Sequence, residues 1–286
     1  MRVNPFYISN LVSALDQTQA TEQQLSAQAS GGARFSSLGE DPVASGRNVM
    51  LLSQIQRDDS FTQTSSLVTG QLQVADSALG SVVTQLTQAL SLATGANNGT
   101  MNASDVKAIS NQIAGILSEV ESLANTSYQG QYIFAGGQTS TVPFSTSTAT
   151  SPGVTTYSGD GDINYLETPN GQKIQMNVPG DAVFTAGGAS SVFGALNALV
   201  ADYAQGAVNL AQASADTKAL TKALHSLSEQ RVIIDNSMTQ LTASQTDLMQ
   251  ADMAKVATQL ALTKTQQTAL EAIIAQLGSG SLFDKL

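Results

Sequence analysis

The chain has no cysteine, no tryptophan and one histidine, and only 12 % of its 286 residues are charged, about half the usual share of a soluble domain. Without cysteine there is no disulfide framework, thiol nucleophile or thiolate metal site. A lone histidine cannot supply the nitrogen ligands of a structural or catalytic zinc centre. The twelve Lys and Arg residues are scattered singly against 22 Asp and Glu, for a formal net charge of −10. Nucleic acid and anionic membrane surfaces both require concentrated positive charge, so neither is an expected partner. No apolar run approaches the ~20 residues of a membrane span, and no membrane insertion is expected. Residues 1–10 lack the apolar core and cleavage site of a secretory signal, so any export is expected to leave the N-terminus uncut.

Apolar residues nonetheless make up 42 % of the chain, and they are spaced in heptads. Near the N-terminus Ile8, Leu11, Leu15, Thr18, Glu22, Leu25 and Ala29 step by threes and fours. Val68, Leu72, Ala75, Leu79, Val82, Leu86, Ala89 and Ala93 follow in the same step, and Val106, Ile109, Ile113, Ile116, Val120 and Leu123 repeat it. In the C-terminal third Leu220, Leu227, Ile234, Leu241 and Leu248 recur every seven. After a one-residue phase shift the seam resumes at Met249, Met253, Val256, Leu260, Thr263, Gln267, Leu270, Ile274 and Leu277. Heptad spacing keeps one apolar stripe facing a partner helix along its length. The predicted fold class is mainly α with a small β insert: an elongated coiled-coil and helical-bundle rod pairing N- and C-terminal segments, plus a β-rich surface domain. Gln, Ser, Thr and Ala occupy the places where charges usually sit. Such neutral faces suit subunits that pack side by side.

The punctuation divides the chain. Gly31-Gly32-Ala33-Arg34 breaks the first helix, and Asp41-Pro42 restarts it as N-cap and first helical residue. Gly95 to Gly99 ends that helix, and Asn102 with Asp105 caps the next. Gln131 to Ala135 reads as a strand. Residues 138–152, rich in Ser and Thr with Pro143 and Pro152, read as irregular. Asp162–Leu166 and Lys173–Val178 alternate around Pro169-Asn170-Gly171 and read as a hairpin. Helical pattern returns at Val192-Phe193 and again from about Ala213 to Leu277. The expected organisation is terminal coiled-coil segments at 1–41 and 251–286, mobile in the monomer; a helical rod of 42–137 and 189–250; and a β-rich insert of 138–188. Glycine pairs at both ends of the insert make it look separable from the rod.

Candidate chemistry is thin. His225 lies mid-helix at a polar heptad position and reads as a surface residue, since a Ser-His-Asp triad needs positioned loop geometry. Asp160-Gly161-Asp162 fails as an EF-hand: its sixth position is Tyr165 and its twelfth Gly171, where Gly and Glu are required. No phosphate-binding loop occurs. No catalytic, cofactor-binding or metal residue is assigned, and no enzyme activity is expected.

Several stretches resemble the flagellin superfamily. These are Gly32 to Phe35 followed by Glu40-Asp41-Pro42; Leu123-Ala124-Asn125 followed by Gly130 to Gly137; Tyr157 to Gly161; and Ala251-Asp252-Met253-Ala254. The ending Ser281-Leu282-Phe283-Asp284-Lys285-Leu286 is similar to that of the hook-filament junction branch of the superfamily. The order of these motifs spans nearly the whole chain. Two departures are Glu40 in place of an Asp, and Thr263 and Gln267 at seam positions. The resemblance implies a structural protein of the bacterial flagellum, secreted to its extracellular part. Its implied partners are a hook-associated junction protein on the hook side, flagellin on the filament side, copies of itself in a ring, and an export chaperone. Ile8, Leu11, Leu15, Leu25, Val256, Leu260, Leu270, Ile274, Leu277, Leu282 and Phe283 are then the expected assembly seams. The sister reading is a filament subunit. An enzyme or adhesin built on the insert is the third, and it would need a ligand cluster there.

Overall fold

The computed structural model describes residues 42–98, 101–147 and 154–279, together with Ser13, Asp16, Gln17, Ala20 and Gln23, which are helical. Two compact units divide the chain: residues 1–57 with 247–286, and residues 58–246. Four helices dominate, α1 (Pro42–Ala96), α2 (Ala103–Ala124), α3 (Val192–Ala204) and α4 (Leu210–Ser279). Between α2 and α3 lie three antiparallel strand pairs: β1 (Ser127–Tyr128) with β2 (Gln131–Tyr132), β3 (Phe144–Ser147) with β4 (Val154–Tyr157), and β5 (Tyr165–Glu167) with β6 (Lys173–Gln175). A π turn at Asp181–Thr185 and a 3-10 turn at Gly188–Ser190 lead into α3.

In the unit 58–246 the heptads do what their period dictates. On α1 Asp58, Phe61, Ser65, Val68, Leu72, Ala75, Leu79, Val82, Leu86, Ala89, Ala93 and Ala96 are buried in an unbroken alternation of threes and fours, with Ala78 buried beside them. On α4 Leu220, Leu227, Ile234 and Leu241 are completely buried. Val106, Ile109, Ile113, Ile116 and Val120 of α2 and Leu196, Leu199 and Tyr203 of α3 join the same core. Fully burying each such aliphatic side chain stabilises by roughly 1.5–3 kcal/mol before entropy is charged against it. The seam extends ten residues further toward the N-terminus than the apolar pattern shows, because Asp58 and Ser65 occupy seam positions with polar side chains. Asp58 Oδ1 and Ser65 Oγ are buried without a hydrogen-bond partner. A polar seam residue weakens a coil and restricts its register.

Register between α1 and α4 is marked by one ion pair. Arg231 Nε donates to Asp76 Oδ1 at 2.7 Å, and its Nη2 to Asp76 Oδ2 at 3.1 Å. This two-pronged geometry is specific to guanidinium and carboxylate. Gly80, one turn beyond Asp76, lies beneath the guanidinium. Further along, Gln245 Nε2 donates to Ser66 Oγ at 3.2 Å. At the other end of the unit Tyr203 Oη donates to Asn97 Oδ1 at 3.0 Å, and Asn97 Nδ2 donates to Thr217 Oγ1 at 3.3 Å, joining α3, the end of α1 and α4. The Asn102 cap forms as expected, its side chain accepting from Asp105 N at 2.9 Å. Pro42 opens α1; the Asp41 cap lies outside the described residues.

The β region differs from its sequence reading in two places. Only Gln131 and Tyr132 of the expected strand pair with a neighbour; Ile133, Phe134 and Ala135 turn inward and are buried. The stretch read as irregular contains the β3–β4 hairpin. Thr146 faces Thr155 there, their hydroxyl oxygens 2.9 Å apart, and the Glu121 carboxylate on α2 accepts from Thr146 N at 3.0 Å. Branched threonines suit a pleated surface even without apolar alternation. The β5–β6 hairpin forms in the expected place, with Leu166 opposite Ile174 and Gly171 at φ 82° in its turn.

The β region is not separable from the helices by its packing. Phe144 stacks within 5.0–5.2 Å (ring centroids) of Tyr157, Phe184 and Phe193, and Phe193 belongs to α3. Ile174, Val178 and Val183 lie in the same core as α2 and α3. The expectation that residues 138–188 can be excised cleanly fails on this shared aromatic cluster. Their deletion should abolish cooperative unfolding of the unit 58–246, as followed by near-UV circular dichroism, and Phe144→Ala alone should destabilise it by about 3–5 kcal/mol.

Two helix glycines should respond in opposite senses to alanine. A Cβ at Gly80 would stand 3.8 Å from the Arg231 guanidinium, an ordinary contact. Gly80→Ala should therefore stabilise by about 0.5–1 kcal/mol through helix propensity. A Cβ at Gly70 would come within 2.6 Å of the Tyr128 hydroxyl, so Gly70→Ala should destabilise. Urea midpoints of the two variants check both signs; equal shifts would show that neither contact matters.

Candidate assembly surface

The most conspicuous surface lies at the start of α1, in the unit formed by residues 1–57 and 247–286. From Gly46 to Arg57 every helical position is exposed. Yet this stretch carries Val49, Met50, Leu51, Leu52 and Ile55, with Met50 74 % exposed. On α4 Met249 and Met253 are also open, the latter to 72 %. A helix with no packed face is marginal in water. Four consecutive apolar residues cover all its sides, the pattern of a helix that is surrounded when it functions. Methionine adds an adaptable, polarisable contact. The seam reading overlooked Val49 to Ile55 because they do not follow a heptad. The available signal was the run itself, four large apolar residues in succession.

Of the expected assembly seams, Ile8, Leu11, Leu15, Leu25, Leu282 and Phe283 lie outside the described residues. Val256, Leu260, Leu270, Ile274 and Leu277 are helical, within α4; the packing expected of their side chains lies outside the described residues. His225 is a surface residue, 3.4 Å from Glu229 one turn away. No helix among the described residues is long and apolar enough to cross a membrane.

The resemblance motifs at 123–125, 130–137 and 157–161 converge on one junction. Asn125, which ends α2, uses its side chain as a surrogate backbone: Nδ2 donates to Phe144 O at 2.8 Å and Oδ1 accepts from Phe144 N at 2.9 Å. Gln129 and Gly130, at φ 51° and 80°, make the tight β1–β2 turn, a conformation glycine adopts without strain. Gly136, at φ 69°, packs so closely on Asp160 that no side chain fits. Asp160 Oδ1 accepts from Gly137 N at 2.6 Å and from Asp162 N at 3.2 Å, so this carboxylate organises a turn. The Tyr157 hydroxyl lies 2.7 Å from Asp160 O and 3.0 Å from Phe134 O. Burial, reinforced by the Asp181 carboxylate, pushes Tyr157 up to about 12, so it stays a neutral donor in any ordinary solution. The Leu-Ala-Asn, Gly-x-Tyr-Ile-Phe-Ala-Gly and Tyr-x-Gly-Asp segments are thus the parts of a scaffold that fastens the β region to α2, with no reactive constellation among them.

Comparison with known proteins agrees with this architecture. The profile of the bacterial flagellin N-terminal helical region matches residues 6–139. Flagellar hook-associated protein 3 of Escherichia coli strain K12 is 31 % identical over 129 residues, 45 % of this chain and 41 % of that protein. Its counterpart of the same name in Salmonella typhimurium is 29 % identical over 138 residues, 48 % and 44 % of the two chains. The matched stretch thus spans less than half the length of either relative. The crystal structure of flagellar hook associated protein-3 from Legionella pneumophila shares the fold, with a TM-score of 0.65 over 76 % of this chain and 99 % of that one, at 13 % identity. With the helical-region profile and these relatives in agreement, residues 6–139 are similar to the bacterial flagellin N-terminal helical region, and part of the chain is similar to hook-associated protein 3.

Proposed function

We propose that this protein is a structural component of the bacterial flagellum that joins the hook, through another hook-associated protein, to the flagellin filament. The observation that carries the reading is its similarity to hook-associated protein 3 of two bacteria, over 129 and 138 residues. The exposed apolar stretch from Val49 to Ile55 supports it physically, because a surface of that kind is covered in an assembly. In this reading the terminal segments, 1–41 and 251–286, form the assembly layer and are mobile in the free monomer. Residues 42–137 and 189–250 form the rod, and 138–188 a β-rich lobe upon it. The seam residues Ile8, Leu11, Leu15 and Leu25 meet Val256, Leu260, Leu270, Ile274 and Leu277 once copies close into a ring, and Leu282 and Phe283 belong to the same layer. Flagellin is the partner on the filament side. Export proceeds with a chaperone and without cleavage of a signal peptide. The protein is not an enzyme.

Two measurements test this assignment. Limited proteolysis of the monomer should remove both ends and leave a product close to residues 58–246; ends that resist protease would contradict an assembly layer completed by other subunits. Leu270→Asp with Ile274→Asp should leave circular dichroism of the compact unit unchanged while eliminating incorporation into flagella. A charge in an apolar seam costs several kcal/mol unless paired, so normal swimming in that strain would overturn the role given to the seams. Purified protein at high concentration should stop at short oligomers, since a junction closes where a filament subunit propagates. Long homopolymers would make it a filament subunit instead.

A further inference from the structure

With no cysteine in the chain, its methionines are the only sulfur atoms open to oxidation, and their surroundings divide them. Met176 and Met238 are packed against the core of the unit 58–246. Met50, Met249 and Met253 stand 74 %, 65 % and 72 % exposed, all three in the unit of residues 1–57 and 247–286. Met101, at 41 %, is intermediate, and Met1 lies outside the described residues. Met50 sits inside the apolar run from Val49 to Leu52. Met249 and Met253 are four residues apart on α4, so they share one side of that helix. The rate at which a thioether is oxidised follows its access to the oxidant. The most accessible thioethers therefore lie on the candidate assembly surface, and the least accessible lie in the compact unit.

We propose that Met50, Met249 and Met253 form a redox-sensitive modification site: a peroxide converts them to sulfoxides in the unassembled chain, and the modified chain no longer assembles. The proposal rests on the assembly reading above, in which the surface they occupy is covered by other subunits. One oxygen atom passes from the peroxide to each sulfur. The S–O bond forms as the O–O bond breaks, sulfur gives up two electrons, and hydrogen peroxide leaves as water. A methionine sulfoxide reductase, drawing two electrons from a thiol, restores the thioether. The sulfoxide oxygen is a hydrogen-bond acceptor on what was an apolar, adaptable side chain. In the free chain water solvates it. Covered by an apolar neighbour it has no donor, and each such group weakens the contact by about tenfold. At these exposures the change removes no packing within the compact unit, so it acts on assembly and leaves that fold intact. Assembly in turn shields the thioethers, so the site is open only before incorporation.

The test uses the full chain and hydrogen peroxide. In the free protein, peptide mass spectrometry should find sulfoxide first at Met50, Met249 and Met253, about tenfold faster than at Met176 and Met238. The Tm of the unit 58–246 should be unchanged at that stage. In flagella sheared from cells the same three residues should react about tenfold more slowly than in the free protein. Treated parent should stay monomeric at concentrations where the untreated chain forms short oligomers. A variant with Met50→Leu, Met249→Leu and Met253→Leu, apolar and inert to peroxide, should oligomerise with or without treatment. A variant with Gln at the three positions, polar like the sulfoxide, should keep the parent's Tm and fail to enter flagella. If the three methionines react no faster than Met176 and Met238, the site is wrong whatever the protein assembles into. Equally fast oxidation in sheared flagella and in free protein would show the surface uncovered, and the assembly reading would fall with the switch. Protection in flagella, with normal oligomers from treated parent, would overturn the switch and leave the assembly reading standing.

Discussion

The unit 58–246 rests on one constraint, the seven-residue period of its apolar side chains. On α1 that period runs from Asp58 to Ala96 without a skip, and on α4 it places Leu220, Leu227, Ile234 and Leu241 on one side. A period of 3.5 against a helix of 3.6 residues per turn holds a single face toward its partners over many turns. Everything else in the unit is fitted to that frame. The small residues Ala75, Ala89, Ala93 and Ala96 in the seam let neighbouring elements approach. The Arg231–Asp76 pair selects one register among the several that a repeating seam allows. Exposed ion pairs contribute little to stability; a two-pronged, half-buried one is better understood as a specificity device.

The β region is held by a different kind of interaction. Its strands are two to four residues long and pair only two by two, too little for independent stability. It is ordered instead by aromatic packing around Phe144 and by side chains that replace backbone partners, Asn125 toward Phe144 and Glu121 toward Thr146. Asn125, Gly136, Tyr157 and Asp160, from the motifs that resemble the flagellin superfamily, are the residues that make these substitutions for backbone partners or close approaches. These residues take part in no chemistry, but each occupies a position where a side-chain amide, a bare Cα, a neutral hydroxyl or a turn-organising carboxylate is required.

The scarcity of charge has a consequence for the same molecule. The buried acids Asp58 and Asp216 each keep one carboxylate oxygen without a hydrogen-bond partner. The exposed faces of the helices are lined instead by Ser and Thr, many of whose hydroxyls donate to the carbonyl four residues earlier, as in Ser77, Thr87, Thr221 and Thr242. Such surfaces can approach another chain without like-charge repulsion, and their hydroxyls already have a partner.

The sequence by itself determined the helices, their buried faces and the cap at Asn102, because periodicity and capping are local properties that the chain carries in its spacing. It also determined the β5–β6 hairpin, through alternation about a Pro-Asn-Gly turn, and carried a resemblance to the flagellin superfamily in the order of its motifs. It did not disclose that Asp58 and Ser65 sit in the seam, since polar residues leave no mark on an apolar pattern. It did not disclose the β3–β4 hairpin, whose strands are Ser and Thr held by Glu121 from a distant helix. Nor did it show that Phe144, Phe184 and Phe193 form one cluster, or that Val49 to Ile55 stand exposed. Those facts belong to the tertiary structure alone, because they depend on which residues far apart in the chain come to share a volume, and on which apolar residues are left without one.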